Sequence, residues 1–113
     1  MKPALFLMAI ALCTACGAKL ATLTASDAER GARQFPGLTL AQLNEGQELF
    51  KTKCSQCHPL KNPTSRDEAE WREVVPRMAA KAEKRANKQK IDAASQEKIL
   101  KYLITMRLAQ KPG

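Results

Sequence analysis

Apolar residues recur at helical spacing in three places along this chain, and nowhere do they alternate as a half-buried strand requires. Leu43, Gln47 and Phe50, four and three apart, share one face of a helix that begins near Thr39 and runs to a cysteine pair. Gly46 lies inside it, where glycine costs about 1 kcal/mol relative to alanine, so close approach of another helix is expected there. Trp71, Val75 and Met78 form a second face. That helix is expected to start at Ser65, because Ser65-Arg66-Asp67-Glu68 spells a capping box. Pro76 lacks an amide hydrogen and is expected to kink or end it just before Met78. The third stripe, Ile99, Tyr102, Leu103 and Met106, belongs to a helix from about Asp92 or Ala93 to Leu108, with Asp92 suited to the N-cap. The expected fold class is all-α, with about three main helices in one domain over residues 37–109 and a tail over 110–113.

The front of the chain reads differently. Residues 1–15, MKPALFLMAIALCTA, carry one lysine and then an apolar run too short to span a bilayer, the shape of a secretory signal. Thr14-Ala15-Cys16-Gly17 resembles the end of a bacterial lipoprotein signal, which implies Cys16 as the lipid-modified N-terminus. The alternative is ordinary cleavage after Ala18 and a soluble periplasmic protein. Residues 16–36 are rich in Ala, Ser, Thr and charge without a sustained apolar period. They are expected to be a tether with at most one frayed helical turn.

Charge narrows the partners. The 113 residues carry a formal charge of +8; removing residues 1–15 takes away only Lys2 and leaves +7. Such a field favours acidic partners or anionic surfaces. Nucleic acid is a poor fit, since aromatics are few and no nucleic-acid motif is present. Lys81, Lys84, Arg85, Lys88 and Lys90 form a dense positive run, readable as a docking surface or as a solvated connector.

The candidate chemistry sits in KTKCSQCHPL, where Cys54 and Cys57 are three apart and His58, the one histidine of the chain, follows directly. A thioredoxin-like thiol pair would need a βαβ setting, and structural zinc wants four ligands. A plain disulfide leaves His58 without a role. Cys-x-x-Cys-His is the attachment signature of c-type haem: two thiols bond one edge of the ring, and the next residue offers a ring nitrogen to the iron. Few aromatics accompany Trp71, Tyr102 and Phe50, so a core of this size is marginal unless an apolar group fills it.

From these residues the chain resembles the small class I monohaem cytochromes c. LNEGQELFKTKCSQCHPL is similar to their first helix and haem site, and ILKYLITM to their last helix. The middle, CHPLKNP through EWREVVPRM, is similar to a bacterial lipoprotein subgroup in which Trp and Arg-Met follow the haem motif closely. The likeness spans about residues 36–106. It implies one covalent haem c on Cys54 and Cys57, iron held by His58, and a crossing of first and last helices at Gly46, Phe50 and Tyr102. A second histidine ligand from this chain is excluded. Helix phase and the resemblance together point to Met78 as the distal iron ligand, with Met106 the runner-up. The implied function is one-electron transfer between redox proteins on the periplasmic side of a bacterial membrane, an electron carrier and not an enzyme. Two alternatives are a haem-based small-ligand sensor and a haem subunit of a larger oxidoreductase.

Overall fold

A computed structural model of the chain describes residues 20–54, 60–84 and 90–109. These form four α-helices and no strand: α1 (Ala25–Gln34), α2 (Leu40–Leu49), α3 (Glu68–Lys84) and α4 (Ala93–Ala109). A π-helical turn, Phe50–Cys54, continues α2, and a 3-10 turn, Pro63–Ser65, precedes α3. The all-α expectation therefore holds. The expectations for residues 1–15, Cys16, Cys57, His58, Arg85, Lys88 and the tail 110–113 lie outside the described residues.

α4 is the element on which the others lean. Tyr102, Leu103, Ile104, Thr105 and Met106 are buried in succession, so this stretch is covered on every side, by α1, α2 and α3. Asp92 caps it, its carboxylate accepting from the Ser95 amide at 2.7 Å. α2 crosses α4 at Gly46. A β-carbon there would meet the Lys98 carbonyl oxygen and lie 2.9 Å from Tyr102 Cβ, so only glycine lets the backbones touch. Phe50, on the same α2 face as buried Leu43, packs on Tyr102 with ring centroids 5.9 Å apart. The close approach expected from Gly46, and its crossing with Phe50 and Tyr102, are present.

Three local expectations need correction. The stretch read as a tether is folded in its second half: α1 docks on α4, burying Leu23, Asp27 and Gly31. Its contact surface is polar and small, which is why no apolar stripe marks it. The Asp27 carboxylate accepts from the Thr24 amide (2.8 Å) and hydroxyl (3.1 Å) and pairs with Arg30 (2.6 Å). Arg30 in turn donates to the Thr105 carbonyl (3.3 Å) and the Met106 sulfur (3.7 Å) on α4. Gly31 faces Thr105, and Gly37, at φ 86°, turns the chain from α1 into α2.

The capping box of α3 is also displaced. It is built by Asp67 and Glu70, with the Glu70 amide donating to Asp67 Oδ1 at 2.8 Å, while Ser65 closes the 3-10 turn. Finally, Pro76 does not end α3, which runs through it to Lys84. Pro76 and Arg72 are both exposed, so water can serve the Arg72 carbonyl that proline cannot. Lys81 and Lys84 of the basic run accordingly belong to a helix.

Candidate functional site

Where α3 leaves α4, the core stays open. A cavity of about 290 Å³ lies between the π-helical turn, α3 and the middle of α4. Phe50 and Cys54 wall it on one side, Trp71, Val75 and Met78 on α3, and Ile99 and Leu103 on α4. Its size is at the lower end of small-molecule sites, and its predominantly apolar wall with polar groups at the rim is typical of them.

Local structure fixes each of these side chains. The π-helical turn at the end of α2 is a rare conformation, frequent at functional sites, and it carries Cys54, half-buried, to the cavity wall. Trp71 is almost fully buried, and its indole N–H donates to the Pro63 carbonyl at 2.8 Å, which ties α3 to the 3-10 turn. Its ring stands edge-on to Phe50, 6.4 Å between centroids and 84° between planes. The Arg66 guanidinium lies 5.7 Å from the Trp71 ring centroid, and the Arg66 carbonyl accepts from Arg107 on α4 at 2.9 Å. Met78 is half-buried one turn beyond Val75.

The rim is cationic. Lys53, Lys61, Arg66, Arg77 and Lys81 all border the cavity, and no carboxylate does among the described residues. Glu70 and Glu73 pair with Arg66 (3.8 Å) and Arg77 (3.7 Å) on the outer surface of α3, where such pairs are worth little.

The structure thus brings Cys54 and Met78 to one cavity and leaves the runner-up methionine elsewhere. Met106 is 3% exposed and does not border the cavity; its sulfur faces Arg30 of α1. The crossing behind the cavity is polar at one point. Burial pushes the Tyr102 phenol above its ordinary pKa, only partly offset by the hydrogen bond from Gln47 Nε2 at 3.3 Å. Among the described residues no group of three or more His, Cys, Asp or Glu side chains is arranged to hold a metal ion. Likewise, no described helix is long and apolar enough to cross a membrane. Arg66 is a site residue that the sequence reading missed; its spacing of five before Trp71 matches no helical rule, because a turn separates them.

Compared with known families, curated proteins and solved structures, the chain matches none.

Proposed function

We propose that the chain is a monohaem c-type cytochrome that carries single electrons, anchored by lipid on the periplasmic side of a bacterial membrane. One observation carries the reading: a single apolar cavity has both Cys54, the first residue of the Cys-x-x-Cys-His motif, and Met78 in its wall. The residues present fit the group. A thiol begins the attachment motif, a thioether is available as a soft ligand, aliphatic and aromatic walls suit an apolar plate, and cations at the rim suit its carboxylates. Cys54 and Cys57 would hold the haem covalently, with His58 and Met78 as iron ligands. When bound, the haem supplies a one-electron couple between Fe(II) and Fe(III), and a methionine ligand raises its potential.

This chain's own residues do the rest. Trp71, Phe50, Val75, Ile99 and Leu103 exclude water from the cavity, lowering the local dielectric. The Trp71–Pro63 and Arg107–Arg66 hydrogen bonds hold the 3-10 turn and α3 in place, so little rearrangement accompanies a change of charge. Redox proteins are the partners in this reading, and the cationic rim favours those with acidic surfaces.

Optical spectra of the purified protein in both oxidation states test it. Covalent haem c with a low-spin, methionine-ligated signature is expected, and the Cys54→Ser/Cys57→Ser chain should carry no covalent haem. A purified, correctly exported chain without haem would end the reading. Haem present but high-spin and open to carbon monoxide would favour the small-ligand sensor instead.

A further inference from the structure

The chain is already packed on the domain at residue 20, the first one described, and this changes what an anchor at Cys16 can do. Leu20 packs on the core, and the Ala21 carbonyl accepts from Gln47 Nε2 of α2 at 2.8 Å, so the chain is fixed to the domain from its first described residues. Cys16 and Leu20 are four residue steps apart, at most about 14 Å of extended chain. A leash that short cannot hold the domain away from a bilayer. The end of the domain at which Leu20 sits must meet the headgroups.

That end has a definite chemistry. Leu20 lines an open groove of about 420 Å³ together with Lys51 and Leu60, and no carboxylate lines it among the described residues. Lys51 is exposed, and its ion pair with Glu48 spans 3.9 Å at the surface, where such pairs are worth little. Lys61, next to Leu60, is exposed as well. Leu60 lines both this groove and the cavity that holds Cys54 and Met78, so the two openings adjoin.

We propose that the face formed by Leu20, Lys51, Leu60 and Lys61 lies on an anionic phospholipid surface, with the chain working as a membrane-lying domain on a short leash. The proposal rests on the lipid-anchored reading. Charge complementarity selects the lipid: basic side chains near an anionic leaflet each gain on the order of 1 kcal/mol, about fivefold in occupancy, and the gain fades within a Debye length. In this orientation the mouth of the cavity is held within reach of the membrane plane.

Lysine footprinting of the full exported protein on vesicles tests this. Intact mass first shows whether the N-terminus carries acyl chains. The acylated protein is then placed on phosphatidylglycerol or phosphatidylcholine vesicles and exposed to an amine-modifying reagent. On phosphatidylglycerol, Lys51 and Lys61 should react about fivefold more slowly, while Lys98 on α4 stays at its solution rate. On phosphatidylcholine the protection should vanish, as it should in a chain with a twelve-residue Gly-Ser insert between Lys19 and Leu20. Lysines that react as in solution, on an acylated protein, overturn the proposal and leave the anchor standing. Equal protection on both lipids overturns the charge complementarity, and protection that survives the insert overturns the short leash. A purified chain without acyl mass overturns both readings together.

Discussion

α4 is packed to completion on one flank and left open on the other. Toward α2 the contact is closed at backbone distance: Gly46 lies against the Lys98 carbonyl, and Leu43 and Leu103 are fully buried. Toward α3 the same helix, through Ile99 and Leu103, borders an open cavity. Protein interiors pack at crystal-like density, so a 290 Å³ void in so small a core is a substantial departure. The closed flank reports a fold that protein atoms satisfy by themselves. The open one is where the chain's own side chains do not fill the space, and Cys54 and Met78 stand in its wall.

The closed flank should be the easiest to break. Gly46→Leu drives a branched side chain into the backbone of α4, beyond anything a rotamer change can relieve, and is expected to abolish cooperative thermal unfolding. A variant that keeps a sharp transition would show that the crossing is not what closes this flank.

On the proposed haem reading, the two methionines sharpen the contrast next. Met106→Ala empties a buried site and should cost about 2–5 kcal/mol in denaturant titrations, with the optical spectrum of the haem-loaded protein unchanged. Met78→Ala, at a half-buried position on the cavity wall, should cost less stability but convert the spectrum to high-spin and lower the reduction potential. An exchange of these phenotypes would assign the ligand to the wrong flank.

Trp71→Phe keeps an aromatic edge against Phe50 but removes the donor to the Pro63 carbonyl, a loss of about 1–3 kcal/mol. Chemical denaturation should place it in that range, and no change would mean that the 3-10 turn is held from elsewhere. The smallest effect should come from acid. Burial alone would raise the Asp27 pKa, but hydrogen bonds from Arg30 and Thr24 outweigh it and hold the carboxyl below its usual value. A depressed folded-state pKa contributes stability that is present above the unfolded value of about 4 and lost as pH falls through the folded one. Stability should therefore decline below about pH 4, and less steeply in Asp27→Asn; identical acid profiles would remove Asp27 from the α1 seam.

How much of this was legible in the sequence depends on what each contact is made of. α2 and α4 bury large apolar side chains at helical spacing, so Leu43, Phe50, Ile99, Tyr102 and Leu103 announce them. α1 docks through a glycine, an alanine and a part-buried ion pair, and no hydrophobic period can record that. A faint signal was present: Thr24-x-x-Asp27 places a hydroxyl and a carboxylate at capping-box spacing. Pro76 misled because the rule concerns a lost hydrogen bond, and that loss is small where the orphaned carbonyl faces water. For the site, Cys54 could be named from spacing, and Met78 from helix phase together with the family resemblance, but the cavity that joins them is a product of three-dimensional packing. The cationic rim has the same origin, since Lys53, Lys61, Arg66, Arg77 and Lys81 come from three separate segments.

The dependence of every other helix on α4 also bears on how the chain acquires its structure. Among the described helices α4 comes last along the chain, and the Gly46–Tyr102 contact joins residues more than fifty positions apart. Closing so long a loop costs entropy before any burial repays it, which slows folding. A ribosome releases the amino-terminal segments first, yet α1, α2 and α3 each lack their largest helix–helix contact until residues 93–109 arrive. Before α4 joins them, the earlier helices hold only part of their final packing, and Cys54 is not yet enclosed by the cavity wall that Ile99 and Leu103 complete.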